Sequence, residues 1–282
     1  MKLCSVEINN YKGIEHLEMD FHDGLNLIIG NNGAGKTSLL SALSVILETP
    51  LIFLSGLTLS PKLEESVRVS TAIVGDVVKQ SVEHYPVQLR AELDMMGEKY
   101  FCGKELNSAH SGENCLDYKV VDDFKQYYEK GDGIAPLLVF LGADGRTRIE
   151  KNAQKNITIS TIQPDRIQGY NQAMNGKLPY DTIEKWCFQL DYAEYQRKET
   201  IQEYATFQHI VSRFMENIDD GATKPKLYYS STAGSLVYSD GHVEKPLYQL
   251  SAGYQNVICM IMEIAYRTVL LNPNIGENIE KL

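Results

Sequence analysis

Long apolar runs are missing from this sequence. None approaches the ~18 residues that a membrane-spanning helix needs, and the opening MKLCSVEINNYKG lacks the apolar centre of a secretory leader. The cytosol is therefore the expected compartment. Cysteine is scarce and poorly arranged for cross-linking: Cys4, Cys102, Cys115, Cys187 and Cys259 make five, an odd number, with no C-x-x-C pair. That excludes a disulfide framework or a zinc ribbon and favours reduced structural thiols. The six histidines form no H-E-x-x-H or other close ligand pair, so no structural metal is expected. Positive charge is also short. With 27 Lys and Arg against 37 Asp and Glu, the net charge of -10 argues against a chain that coats nucleic acid, because phosphate neutralisation supplies most of that affinity. A local basic groove stays open.

What is present is a globular composition, 43% hydrophobic and 23% charged, over 282 residues. That length buries a sizeable core, as one large domain or as a core with an insertion.

The densest signal is LNLIIGNNGAGKTSLLSAL, residues 25–43. A triphosphate needs many hydrogen-bond donors in a small space, and backbone N–H groups in a glycine-rich turn supply them. Gly30, Gly35, Lys36 and Thr37 meet the pattern G-x-x-x-x-G-K-[ST], with Gly33 as a further glycine inside the turn. The nucleotide-binding stretch is read as Gly30, Asn31, Asn32, Gly33, Ala34, Gly35, Lys36, Thr37 and Ser38. Lys36 is expected to reach the β and γ phosphates and the Thr37 hydroxyl to ligate Mg²⁺. Leu25, Leu27, Ile28 and Ile29 read as a strand ahead of the loop; Leu39, Leu40 and Leu43 recur at helical spacing after it.

Along the rest of the chain, KLCSVEINNYKG and IEHLEMDF alternate as strands about a turn at Asn10 to Gly13. VRVSTAIV, PVQLRAELD and EKYFCG predict further strands, DYKVVDDFKQYYEK a helix and APLLVFLGADG a buried strand. Residues 146–178 read as largely irregular. From Tyr180 to Ile218 there is no Gly or Pro, and the apolar spacing predicts two helices, with Asp181/Glu184 and Thr200/Glu203 as capping boxes. KLYYSS, GSLVYS and HVEKPLYQL follow as strands, Asp240-Gly241 turning a hairpin. The expected organisation is N-terminal strands, loop and helix over 1–48, a β-rich region over 66–145, an irregular segment and helical insertion over 146–222, and a hairpin with a terminal helix over 226–282. Glu92 and Asp94 are the nearest carboxylate pair, lack a neighbouring catalytic lysine, and read as a solvated strand face.

LYQLSAGYQNVICMIMEIAYRTVLLNP supplies a second motif. Ser251 can cap a helix whose Tyr254, Val257, Ile258, Ile261, Ile264, Ala265 and Val269 form one apolar side. Leu250, Ser251, Ala252 and Gly253 resemble the LSGG signature of ABC-type ATPases. GNNGAGKTS follows the G-x-N-G-x-G-K-[ST] form of the RecF and SMC branch of that superfamily. Asn10, Tyr11 and Lys12 stand where the branch carries an asparagine, an aromatic and a basic residue. The chain thus resembles the AAA-family, stand-alone ATPases of that branch found beside bacterial anti-phage nucleases, such as those of Septu-type and retron-associated systems. One departure is Tyr254, where transporters carry glutamine; it leaves the role of Gln255 open.

The resemblance implies an α/β fold: a P-loop NTPase of ABC type with a mixed β-sheet, an antiparallel β subdomain and a helical insertion, its C-terminal core lying beyond this chain. It implies ATP and Mg²⁺ as cofactors and a head-to-tail homodimer in which ATP lies between Lys36 of one copy and Leu250 to Gly253 of the other. An HNH-type nuclease is the implied partner, with DNA bound only in the assembly. Lys12 would add charge at the γ-phosphate, a solvated turn lysine being the alternative. Gln163 is a candidate magnesium ligand, with Gln154 its rival and a surface glutamine the plainer reading. The catalytic Asp-Glu pair and histidine loop of the family are expected beyond residue 282, since Asp144 precedes the signature in chain order. A nucleotide-holding module without turnover is the second reading. A P-loop kinase or GTPase is the third, disfavoured by the lack of N-K-x-D.

Overall fold

In the computed structural model, residues 1–54, 63–74, 78–95, 97–131, 133–142, 149, 166–218 and 224–275 are described. They fall into two compact units, Met1–Gly133 and Ile134–Leu282.

The first unit is built on alternation. Strands β1 (Lys2–Tyr11), β2 (Ile14–Asp20), β5 (Val87–Met95), β6 (Glu98–Leu106) and β7 (Asn114–Cys115) form an antiparallel sheet in the order β2-β1-β5-β6-β7. In β5 every second residue, Val87, Leu89, Ala91, Leu93 and Met95, is buried, as the two-residue period requires of a sheet with one covered face. Helix α1 (Lys36–Leu47) packs on β1, β5 and β6, burying Leu39, Ala42, Leu43, Val45 and Ile46. Helix α2 (Lys119–Lys130) adds Val120, Val121 and Phe124 and ends at Gly131 in the left-handed region. Gly103 is required inside β6: at φ 142° a Cβ there would stand 1.9 Å from the Leu89 carbonyl oxygen. Strands β3 (Arg68–Val74) and β4 (Val78–His84) form a separate hairpin.

The second unit surrounds α5 (Ala252–Leu271). Helices α3 (Tyr180–Arg197) and α4 (Gln202–Ile218) and strands β8 (Lys226–Ser230), β9 (Ser235–Ser239) and β10 (Glu244–Pro246) pack about it. Trp186 stands edge-on to Tyr204, Phe207 and Tyr266 at centroid distances of 6.3, 5.3 and 5.3 Å. Such aromatic pairs add about 0.5–1.5 kcal/mol each beyond their buried area. The Asp240-Gly241 turn forms as expected, Gly241 at φ 90° and the Asp240 carboxylate accepting the N–H groups of His242 and Val243 at 2.8 Å. Those two donors hold the Asp240 carboxyl below its ordinary range.

The mixed α/β class and most elements agree with expectation; several details do not. Leu25–Ile29 joins no sheet among the described residues, and Leu25, Leu27 and Ile29 are 91%, 75% and 83% exposed. The apolar run dictates an extended chain, but a strand also needs a neighbour for its N–H and C=O groups. APLLVFLGADG likewise joins no ladder in its described part: Ala135 and Leu138 are buried, Leu141 is exposed, and the Phe140 N–H bonds the Ala173 carbonyl at 2.8 Å. Asp181 lies inside α3, which begins at Tyr180, and is not its N-cap. Pro179 precedes α3 without a side-chain cap, and Glu184 is buried, accepting from the Tyr180 hydroxyl at 2.9 Å and the Leu236 N–H at 3.4 Å. Helix α4 begins at Gln202, past Thr200, and the Ile201 N–H is taken by Glu194 at 2.7 Å. Strands β4 and β7 went unforeseen. The irregular stretch 146–178 falls largely outside the described residues.

Candidate functional site

The phosphate-loop sequence folds as its glycines demand. Gly33 and Gly35 take φ of 83° and 87°, a region that side-chain-bearing residues rarely enter, and α1 starts directly after Gly35. The first intrahelical bond runs from the Leu39 N–H to the Gly35 carbonyl at 2.9 Å. The N–H groups of Lys36, Thr37 and Ser38 therefore have no carbonyl within the helix. No side chain caps this end and no acidic residue lies in its first turn. Lys36 folds back over the loop, its Nζ donating to the carbonyls of Gly30 and Asn31 at 2.7 Å each. An ammonium held by two neutral acceptors at the mouth of an uncapped helix can exchange them for phosphate oxygens at gain. Thr37 is exposed at the same end. The chemistry of these residues fits a nucleoside triphosphate with magnesium: the loop amides and Lys36 would hold phosphate and the Thr37 hydroxyl the metal.

The turn between β1 and β2 lies against this helix. Asn10 and Lys12 both take positive φ, at 53° and 50°. Asn10 Nδ2 donates to the Pro86 carbonyl at 3.0 Å and the Lys12 N–H to the Ser66 carbonyl at 2.7 Å, which fixes the turn on both sides. The buried Tyr11 hydroxyl meets Ser41 Oγ at 3.0 Å, and Lys12 Nζ donates to the same oxygen at 2.8 Å. Lys12 thus stands beside the second turn of α1, its ammonium 5.3 Å from the Tyr11 ring centre. The Ser41 contact was not foreseen; a small polar residue one turn beyond the loop was the only trace of it.

The second motif opens α5. Ser251 adopts φ -60° and ψ 151° as its N-cap, and the Ser251 side chain accepts the Tyr254 N–H at 3.4 Å, as expected. Ser251, Ala252, Gly253 and Tyr254 are exposed, whereas Leu250 is half-buried. A Cβ built on Gly253 meets nothing within 4 Å. The expected apolar side holds for Ile258, Ile261, Ala265 and Val269, but Tyr254 faces solvent and the buried surface extends over Cys259, Met262 and Tyr266. The helix is apolar around most of its circumference. Its polar residues on the covered side, Gln255, Glu263 and Arg267, are therefore buried with it.

Gln163 and Gln154 lie outside the described residues. The thiols behave as structural groups: burial pushes Cys102 and Cys259 up to about 12 and Cys187 well above its ordinary value. Lys99, reached across the β5–β6 hairpin, donates to Glu92, so the carboxylate pair does have a lysine neighbour that sequence spacing hides. Among the described residues no group of three or more His, Cys, Asp or Glu could hold a metal ion. No helix among them is long and apolar enough to cross a membrane.

Comparison with known proteins adds the following. A family model described as the AAA ATPase domain matches residues 1–156. The DNA replication and repair protein RecF of Bacillus mycoides (strain KBAB4) is 44% identical over 46 residues, 16% of this chain and 12% of that protein. The retron Ec83 probable ATPase of Escherichia coli is 21% identical over 97% of this chain and 60% of its own length. The SMC head domain from Thermotoga maritima aligns with a TM-score of 0.44 at 11% identity, over 97% of this chain and 74% of that one. The chain thus spans 12% of the RecF protein and 60% of the retron ATPase.

Proposed function

The chain belongs to the AAA ATPase domain family, and from that membership we propose that it is the ATP-binding part of a RecF-like, ABC-type ATPase whose two copies close head to tail on ATP. The observation that carries this reading is the contrast between two helix starts. Helix α1 begins uncapped behind a loop of positive-φ glycines, with Lys36 at its mouth. Helix α5 has Ser251 as its N-cap, through one long bond, and exposes Gly253, whose missing side chain serves no packing within the described residues. Glycine inside a helix costs about 0.5–1 kcal/mol relative to alanine. Close approach of something outside the helix accounts for that cost. The γ-phosphate of a nucleotide held by the other copy fits it: the Ser251 hydroxyl donates, and the helix start favours the anion.

In this reading the loop amides and Lys36 bind and orient the triphosphate, and the Ser251 to Gly253 end of the partner copy completes the site. The Thr37 hydroxyl would hold magnesium, which would supply positive charge to the phosphates when bound. Lys12 reaches Ser41 and belongs to the phosphate site only if it swings away from that hydroxyl. Binding energy becomes a closing motion, which makes the molecule a switch. Its partner is an HNH-type nuclease in anti-phage defence, with DNA engaged only in the assembly and the cytoplasm as compartment. The support is the likeness to ATPases found beside such nucleases and the likeness to a retron probable ATPase over 97% of this chain and 60% of that protein. The second reading is a module that holds ATP without turning it over. Because the family's catalytic pair is expected beyond residue 282, magnesium-dependent phosphate release is measured on the natural gene product read past the codon for Leu282: turnover there supports the first reading, and ATP binding without turnover the second. Calorimetry that finds no ATP binding to the parent protein would overturn both.

A further inference from the structure

Besides Thr268, four polar side chains are buried on or directly after α5: Gln255, Glu263, Arg267 and Asn272. Such groups persist in an apolar setting only when their hydrogen bonds are made, and here the partners lie in the middle of the chain. Asn272 takes both backbone groups of Ala135, accepting its N–H at 2.8 Å and donating to its carbonyl at 3.1 Å. Arg267 donates from Nη1 to the carbonyls of Gly169 and Asn171, at 2.9 Å each, with Glu263 balancing its charge at 3.0 Å. These contacts fasten the C-terminal half of α5. Gln255 alone works at the other end.

Its side-chain Nε2 donates to the Leu250 carbonyl at 2.9 Å, and its Oε1 accepts the Ile149 N–H at 3.4 Å. The Leu250 carbonyl and the Ser251 N–H are two ends of one planar peptide unit. Holding the oxygen therefore holds the orientation of the Ser251 N–H and the start of the Ser251 side chain. The Gln255 backbone N–H adds a bond to the Ser251 carbonyl at 2.9 Å, so one residue grips the peptide units on both sides of Ser251. The cap itself is long, 3.4 Å from Tyr254 N to Ser251 Oγ, and cannot supply this order alone.

We propose that Gln255 is a positioning residue for the nucleotide-contacting end of α5, acting on ATP only through Ser251 by fixing the Leu250–Ser251 peptide. This rests on the reading of Ser251 to Gly253 as the second half of a shared ATP site. The fifth signature position, Tyr254, faces solvent, and the following glutamine turns inward to serve as a brace.

The test uses Gln255→Leu, Gln255→Glu and, as a control at the far end of the same helix, Asn272→Ala. ATP affinity is read by calorimetry and ATP-driven pairing by light scattering. Gln255→Leu is expected to bind ATP as the parent does and to pair about three- to tenfold more weakly, the scale of one buried hydrogen bond. Gln255→Glu cannot donate to the Leu250 carbonyl when ionised but can when protonated, so its pairing should recover on acidification while the parent's does not. Asn272→Ala should lower the melting temperature and leave pairing unchanged. Equal pairing by Gln255→Leu and the parent overturns the proposal, as does equal weakening by Asn272→Ala. If the parent does not pair on ATP, the shared-site reading fails, and amide exchange of the nucleotide-free monomer still decides the brace. Exchange at Ser251 to Tyr254 should be about three- to tenfold faster in Gln255→Leu than in Asn272→Ala, and identical exchange would overturn it.

Discussion

Lys36 makes its two hydrogen bonds to the carbonyls of the exposed residues Gly30 and Asn31, which water can satisfy in its place, so its removal should disturb the loop little and the ligand greatly. Lys36→Ala should cut ATP affinity at least tenfold, as loss of a charged hydrogen bond worth about 1.5–3 kcal/mol implies, with little change in the melting temperature. Calorimetry and thermal scanning read both. Gly253→Ala makes the opposite pair of effects. Nothing stands within 4 Å of the added methyl, so the helix should gain about 0.5–1 kcal/mol while ATP-driven pairing weakens; a stabilised variant that pairs normally contradicts the trans role of Gly253. Asp240 carries a pH prediction. Its carboxyl is depressed by two backbone donors, so its contribution to stability is complete above the unfolded carboxylate value and is lost as pH falls through the folded one. Asp240→Asn should flatten the acid limb of the stability profile in that window. At this scale the sequence was legible where geometry is local. Glycines that must take positive φ, and a serine one residue ahead of a helix, reveal themselves by spacing. The inward turn of Gln255 does not, because it depends on Leu250 and Ile149, one of them 106 positions away.

Elements were legible in proportion to how far their partners lie in sequence. The alternation in β5 and the Asp240-Gly241 turn of the β9–β10 hairpin are local signals, and both are legible in the sequence. Leu25–Ile29 was not. A continuous apolar run reads as a strand of a sheet covered on both faces, but a ladder needs neighbouring strands, and none among the described residues pairs with this run. α5 misled in another way: with apolar residues nearly all round, its amphipathic face could be drawn in more than one direction. The aromatic cluster that joins α3, α4 and α5 makes an element-scale prediction. Phe207 is fully buried and 5.3 Å from Trp186, the single tryptophan. Phe207→Ala should cost about 3–5 kcal/mol, and denaturation followed by Trp186 fluorescence should report it. A loss below ~1 kcal/mol would mean that the cluster is not a core.

At the scale of the molecule, the two motifs lie in different compact units, the phosphate loop in Met1–Gly133 and the Ser251 helix start in Ile134–Leu282. A site shared between copies uses one unit from each, and this gives the central claim its most direct test. Lys36→Ala spoils one half of the site and Ser251→Ala the other, so neither variant alone should pair normally on ATP. Mixed, they can form a heterodimer in which one of the two sites has both halves intact and the other has neither. Light scattering of the mixture with ATP should show dimers that neither variant forms alone, binding about one ATP per pair. If the mixture stays as monomeric as its components, the two motifs do not meet across copies, and the head-to-tail account is wrong.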